Sequence, residues 1–354
     1  MSKKVFILIL FPISILLTFF AKFNLSFAEF YALNVYPVFS ETISFFTSKL
    51  RFSIAEIIVI GLILLLLIYF AVILVKTIID KNIGYFKAFF INITFFFSFA
   101  YFLYVLFCGI NYYRYEFTYY SGLEINKSSK EQLVNLCEIL IEDANVKRSK
   151  LNSKNETAEL FDVDFYSTTK RAKQSIDKIS EKYTVLKGNY SAPKQVFFSN
   201  IMSEMRITGI FFPFTFESNV NVHIPPYEIP STMVHELVHL RGFMREDEAN
   251  FISYLACINS GYDDFYYSGT MLALTYSMNA LYKEDYEAFL KLYETYSEDV
   301  LKDIMYSKNY WKQYDTKIAE ISNKVNDTYL KANSQKDGVK SYGRMVDLLL
   351  AYYK

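Results

Sequence analysis

Cysteine is scarce in this chain. Three cysteines in 354 residues are too few for a disulfide framework. Cys108 falls in a long apolar run. Cys137 and Cys257 would pair only in an oxidising compartment, and each sits on an apolar helix face, where a free thiol packs as a small hydrophobe. Both are read as unpaired. Net charge is lacking too: 37 basic residues balance 37 acidic ones, with the signs interspersed. No basic surface is implied, so nucleic acid is excluded as an expected partner. Neither an internal repeat nor a low-complexity linker is present. Histidine is equally scarce, with three in all, and two of them lie four positions apart.

What the chain has in excess is apolar and aromatic residues, 52% and 19% of the total, and the excess is uneven. Ser2-Lys3-Lys4 is followed by an uncharged run from Val5 to Ala21. A positive start before an apolar run also describes a secretory signal peptide. No convincing small-x-small cleavage site lies next to the run, however, and more membrane segments follow, so an uncleaved first membrane helix is expected. Lys22 to Ser53 mixes Glu29, Glu41, Lys49 and Arg51 with many aromatics and reads as a partly helical interfacial loop. Ile57 to Val75 is nineteen residues without charge, enough to span a bilayer core. Ala88 to Ile110 is a second long uncharged run, rich in Phe. The expectation is a multi-pass region over 1–110, embedded in the lipid bilayer, with helices at about 5–21, 57–75 and 88–110. Lys3 and Lys4, with Lys76, Lys81 and Lys87 in the second loop, place those ends in the cytoplasm by the positive-inside rule. Everything after Ile110 is then extracytoplasmic, although Lys22, Lys49 and Arg51 pull the other way.

From Asn111 charged residues recur regularly, and 111–354 is long enough to bury its own core. Ser128 to Val146 reads as an amphipathic helix, with Leu133, Leu136, Cys137, Leu140 and Ile141 at helical spacing, and Thr168 to Leu186 reads likewise. Pro193 to Ser199 and Ile207 to His223 look strand-like. The second of these is placed to be an edge strand that binds an extended peptide, or else an ordinary core hairpin. Helices are expected at Glu248–Asn259, Ser268–Leu281, Glu284–Tyr296, Tyr310–Ala332 and Ser341–Tyr353, where stripes of Leu, Ile, Tyr and Met are core packing.

One stretch carries chemistry: Pro230-Ser231-Thr232-Met233-Val234-His235-Glu236-Leu237-Val238-His239-Leu240-Arg241-Gly242. On a helix, His235 and His239 leave the same face one turn apart, and two imidazoles can then share a tetrahedral Zn²⁺. Glu236 can serve as general base and later as general acid. Ser231 or Thr232 can cap the helix start, and Gly242 can turn the chain at its end. The third ligand must follow that turn. Glu246 is the first choice, Glu248 the alternative on another helix face, and Asp247 ranks below both. Asn250, one turn beyond Glu246, could steady a ligand by hydrogen bonding. The bare pattern arises by chance in about one chain in a hundred, so a solvated helix with two histidines is the plain alternative. The cap, the glycine and the acidic cluster beyond weigh against it. His223, near the motif in sequence, could be a transition-state donor, but it reads better as a strand-end residue without chemistry. Tyr266, Tyr267 and Tyr276 are candidate oxyanion donors.

His235-Glu236-x-x-His239 followed by Glu246-x-x-Ala249-Asn250 resembles the gluzincin arrangement, HExxH then ExxAD or ExxAN, as in membrane metalloproteases of the CAAX-prenyl-endopeptidase type. That resemblance implies Glu246 as the third zinc ligand. A wider set of residues is similar to a bacterial family of multi-pass membrane proteins with a predicted zinc-peptidase domain and no assigned substrate. It runs from Thr208-Gly209-Ile210 through Pro213-Phe214-Thr215, Glu217-x-Asn219-Val220-Asn221, the HExxH and Arg245-Glu246-Asp247-Glu248-Ala249-Asn250-Phe251 to Tyr267-Ser268-Gly269. The similarity implies a zincin fold. Only six residues separate His239 from Glu246, which is short for a gluzincin. The glycine after the motif is similar to metzincins, but Arg245 occupies their third-histidine position and cannot bind a metal. Glu246 and Glu248 therefore both stay open.

The expected protein is a helix-rich α+β zincin-like domain preceded by three transmembrane helices. Its expected activity is zinc-dependent peptide hydrolysis on a protein or peptide substrate. Two rivals remain. An intramembrane protease is disfavoured because Arg241, Arg245, Glu246, Asp247 and Glu248 crowd the motif. A sensor or scaffold that uses zinc without general proteolysis is the other, and it would not need Glu236.

Overall fold

The computed structural model describes residues 3–154, 164–335, 338 and 344–354. The chain is helix-rich with few strands. It divides into two compact units, residues 1–115 with 212–217, and residues 116–211 with 218–354.

The first unit contains α1 (Lys3–Phe23), α2 (Leu25–Phe30), a π-helical turn (Tyr31–Val35), α3 (Tyr36–Thr47), α4 (Ile54–Asp80), α5 (Gly84–Phe107) and a 3₁₀ turn (Gly109–Tyr113). Helices α4 and α5 are long and apolar enough to cross a membrane, with mean hydropathy of 3.4 and 1.9 over their best windows. Such runs form helices because, away from water, a helix satisfies every backbone N–H and C=O within one segment. Leu64, Leu65, Leu67 and Ile68 of α4 are all more than half exposed, an apolar surface suited to lipid.

These two helices cover the expected 57–75 and most of 88–110. α5 stops at Phe107 because Cys108 leaves helical geometry and the chain tightens into the 3₁₀ turn. The expected span at 5–21 stands differently. Residues 7–23 and 25–47 form a pair bent by 106°, and only together do they pass as a candidate span. Among the described residues there are thus two candidate membrane helices, or three if the bent pair is one. The break is at Asn24, whose side chain accepts the Phe27 N–H at 3.0 Å and starts α2. The stretch expected as a partly helical loop, Lys22 to Ser53, is helical from Leu25 to Thr47. Inside this unit Arg114 and Glu29 are buried as an ion pair at 3.6 Å, and Glu29 also accepts the Tyr115 N–H at 2.8 Å.

The second unit runs α6 (Phe117–Ser121), α7 (Lys130–Lys154), α8 (Phe165–Ile179), β1 (Lys194–Gln195), α9 (Ser199–Glu204), β2 (Gly209–Phe212), β3 (Glu217–Val220), α10 (Ile229–Leu240), α11 (Glu246–Ile258), α12 (Asp263–Glu284), α13 (Tyr286–Tyr293), α14 (Glu298–Lys312), α15 (Lys317–Ala332) and α16 (Met345–Tyr352). The sheet has the order β1-β3-β2, with Lys194 opposite Asn219 in a parallel β1–β3 pair. The strands expected over 193–199 and 207–223 are shorter than their runs of apolar residues suggest. Ser199 to Glu204 is helical, and Pro213 to Phe216 is a turn that carries the chain from β2 to β3.

Helix α10 is buried among α8, α11 and α12. Met233, Val234, Leu237 and Val238 are fully buried, the apolar stripe that periodicity demands. α11 and α12 approach closely at Gly269, where a Cβ would lie 2.5 Å from Cys257 Cβ. All three cysteines are buried, and Cys137 and Cys257 are free thiols.

Most helix boundaries shift by a few residues from expectation, and some of the differences have a clear local cause. α10 begins at Ile229, so Ser231 is inside its first turn and caps nothing. Its N–H is satisfied instead by Ser268 Oγ at 2.9 Å. The run Tyr310–Ala332 is split, because α14 ends at Lys312 and Thr316 Oγ1 accepts the Ala319 N–H to start α15. Of Ser341–Tyr353, the helix spans Met345–Tyr352, and Ser341 to Gly343 lie outside the described residues, as does Ser2.

Candidate metal centre

α10 presents His235 and His239 on one face, their ring centroids 4.6 Å apart and perpendicular. The chain then turns at Gly242, whose φ of 86° is open to glycine at little cost. That turn brings the Phe243 carbonyl to His239 Nδ1 at 2.8 Å. A carbonyl can only accept, so Nδ1 carries the proton and Nε2 is left as the ligand atom. Helix α11 begins three residues after Phe243, and Glu246 is its first residue. Glu246 Oε2 lies 3.2 Å from His235 Nε2 and 3.6 Å from His239 Nε2. One ligand atom from each of the three residues falls within 4.8 Å of the other two. Side-chain exposures of 10–14% leave a narrow opening to solvent. The short link of six residues therefore suffices, because the Gly242 turn folds α11 straight back on α10.

The electrostatics suit a cation. Burial on its own would raise the Glu246 carboxyl, but the two imidazoles outweigh it and hold the group well below the usual carboxylate range. Burial opposes charge on His239, yet Glu246 beside it lifts the imidazole to about 9. The Glu246 carboxylate is thus ionised at any ordinary pH.

Glu236 is buried beside these three. Burial is the main effect on its carboxyl and pushes it up, against the pull of both imidazoles and of the Phe211 N–H that donates to it. Gly209 of β2 abuts its side chain, and Ser218 Oγ donates to its carbonyl at 2.9 Å. Its Oε2 is buried with no hydrogen-bond partner among the described residues. Two imidazoles, one carboxylate and an unpartnered carboxylate oxygen are a donor set that fits a divalent ion with an open position.

Glu248 is not brought to this cluster. It accepts Arg245 Nε and a second Arg245 nitrogen at 2.9 and 3.0 Å, and the Phe117 N–H at 2.6 Å. Asp247 meets Arg344 at 3.1 Å. Asn250 lies one turn on from Glu246, but its Nδ2 donates to Tyr276 Oη at 3.4 Å rather than to a ligand. Of the three tyrosines, Tyr266 donates to Asp143 and Tyr267 to Asp303. Tyr276 is the one beside the cluster: burial, helped by the Glu246 charge, pushes its phenol up to about 12. His223 is exposed and contacts Asn200. Sequence reasoning did not single out Gly209, Phe211 or Ser218 as neighbours of Glu236. No spacing rule connects them to the motif.

No curated protein and no solved structure matches this chain. The chain belongs to a family described as "Protein of unknown function (DUF3810)", which matches residues 31–350.

Proposed function

We propose that this protein is a membrane-anchored zinc metallopeptidase, with His235, His239 and Glu246 as ligands and a zincin-like arrangement of α10 and β2. The observation that carries the reading is Glu236 Oε2, a buried carboxylate oxygen without a partner among the described residues, next to three convergent atoms that could hold a metal. Leaving such an oxygen unsatisfied costs about 1–3 kcal/mol or more, a cost that suits an atom reserved for a reactant. A bound zinc ion would acidify water and polarise the scissile carbonyl. Glu236 would take the proton from the attacking water and deliver it to the departing amine nitrogen. Its raised carboxyl suits it to hold that proton between the two transfers. Tyr276 is placed to donate a hydrogen bond to the oxyanion. β2, the end strand of the sheet, would bind the peptide substrate in extended form, and the positive-inside rule favours an extracytoplasmic location for the domain.

The test uses the full-length chain in detergent, supplied with zinc, and its His235→Ala and Glu236→Gln variants. Metal content is read by mass spectrometry and turnover with a fluorogenic peptide library. About one zinc per chain, lost in His235→Ala, with hydrolysis abolished in Glu236→Gln, supports the reading. A folded native chain without zinc would overturn it. Zinc without hydrolysis would transfer the site to the sensor or scaffold reading.

A further inference from the structure

The side chains of the candidate metal centre come from three helices of the second unit: His235 and His239 from α10, Glu246 from α11 and Tyr276 from α12. Their mutual distances therefore depend on how those helices are fixed to one another. Each pair meets at small buried residues. Between α11 and α10, Ser253 Oγ donates to the Ser231 carbonyl at 2.7 Å. Between α10 and α12, the Ser231 N–H donates to Ser268 Oγ at 2.9 Å, and Ser268 Oγ donates to Ser231 Oγ at 2.9 Å. The Ser231 hydroxyl in turn donates to the Glu228 carbonyl at 3.2 Å. Between α11 and α12, Gly269 lies so close to Cys257 that a Cβ would not fit. Ser231, Ser253 and Ser268 are all buried, so water does not compete for their bonds.

The three serines lie in register with the site. Ser231 is four residues before His235, Ser253 seven after Glu246 and Ser268 eight before Tyr276. These are separations of one or two turns, about 6, 11 and 12 Å along the helices. Ser231 and Ser253 fall on the faces that carry His235 and Glu246. The Ser231 N–H belongs to the first turn of α10, where an amide has no partner within the helix, and Ser268 supplies the acceptor. The Ser231 carbonyl is the one that helix geometry pairs with the His235 N–H. The Ser253 hydroxyl of α11 thus shares an acceptor with the amide of the first ligand. A pivot of about 5° at Ser253 would move an atom about 11 Å away by about 1 Å, whereas metal–ligand distances hold to about 0.2 Å. Small changes at this junction are therefore large ones at the cluster.

We propose that Ser253 and Ser268 are positioning residues for the metal ligands. Acting through Ser231, they set the separation between the imidazoles of α10 and the Glu246 carboxylate of α11. The consequence for metal binding rests on the reading of the cluster given above; the consequence for the first turn of α10 does not.

The experiment uses the full-length chain in detergent and compares the native protein with Ser253→Ala, Ser268→Ala and Ser175→Ala. Ser175 of α8 is equally buried, but its hydroxyl donates within its own helix, to the Arg171 carbonyl at 2.8 Å. It is the control for losing a buried hydroxyl. Hydrogen–deuterium exchange is read first. Amides of 231–236 should exchange about tenfold faster or more in Ser253→Ala and Ser268→Ala, and at native rates in Ser175→Ala. The second readout is the metal itself: the visible absorption of bound Co²⁺, which reports ligand geometry, and the affinity for Zn²⁺ by chelator competition. Both junction variants should shift the Co²⁺ spectrum and bind Zn²⁺ about tenfold more weakly, while Ser175→Ala should do neither. Native exchange at 231–236 in both junction variants overturns the proposal whatever the metal does. Faster exchange with a native Co²⁺ spectrum and native Zn²⁺ affinity would reduce the serines to a structural role and overturn positioning, as would equal changes in Ser175→Ala. If Ser268→Ala, which strands the Ser231 N–H, fails to fold, Ser253→Ala decides alone by the same criteria, since it removes only a donor. A native chain that takes up neither ion would overturn the metal reading itself, while the exchange rates still decide whether the serines fix the first turn of α10.

Discussion

Gly209 and Glu236 are so close that a Cβ on the glycine would lie 2.5 Å from Glu236 Oε1 and 2.7 Å from its Cγ. Glu236 is buried and cannot swing clear without displacing its neighbours. Gly209→Ala should therefore act as an overpacking substitution, costing about 1–3 kcal/mol. Thermal unfolding in detergent measures the cost. Turnover should fall while zinc is retained, and an alanine variant with native stability and turnover would show that β2 does not confine Glu236.

The two acidic neighbours of the motif should separate by metal content. Glu246→Ala removes the oxygen nearest both imidazoles and should lose zinc. Glu248→Ala should keep zinc but lower stability by about 3–5 kcal/mol, because it breaks the buried ion pair with Arg245 and removes the acceptor of the Phe117 N–H. Mass spectrometry on the two purified variants reads the first effect and thermal unfolding the second. Zinc lost only in Glu248→Ala would reverse the assignment.

Tyr276→Phe deletes one hydroxyl beside the cluster. If that hydroxyl donates to the oxyanion, kcat on a peptide substrate should fall about 100-fold, with KM and zinc content little changed. A variant with native kcat would remove Tyr276 from the reaction and leave it as the partner of Asn250.

Glu228 supplies a pH dependence unrelated to the metal. Burial raises its carboxyl above the ordinary 4.5, and the bonds from Ser307, Trp311 and Tyr227 offset that only in part. A carboxyl raised on folding contributes its full stability below the unfolded pKa and loses it as pH rises through the folded pKa. Glu228→Gln should thus gain stability relative to the native chain at neutral pH and show no such gain near pH 4. Thermal unfolding across pH 4–8 provides the comparison, and a constant difference would assign the effect to the lost acceptor oxygen alone.

The parts of the site that sequence reveals are those governed by local geometry. Four-residue spacing puts His235 and His239 on one face whatever surrounds them, and Gly242 marks a turn because few other residues tolerate its φ. Glu246 and Glu248, in contrast, sit two positions apart on one helix. Only the packing of α11 on α10 faces Glu246 toward the imidazoles and Glu248 toward Arg245 and Phe117. Tyr276 is one of 31 tyrosines, and nothing in its neighbours along the chain distinguishes it. The apolar runs announce α4 and α5 for a similar local reason. The bend at Asn24 and the helices beyond it are harder to read, because aromatic and charged residues alternate there without a single period. Gly209 and Ser268 are the least legible, since each acts on a residue remote in sequence, the one on Glu236 and the other on Ser231.

The three buried thiols carry a practical consequence. Burial pushes Cys137 up to about 12 and Cys257 higher still, so at neutral pH both are protonated and poor nucleophiles. Cys108 is shielded by burial as well. The folded native chain is therefore a quiet background for maleimide labelling. A single cysteine placed at an exposed position such as Tyr119 or Lys302 would report, with a membrane-impermeant reagent on intact cells, which side of the bilayer the second unit faces.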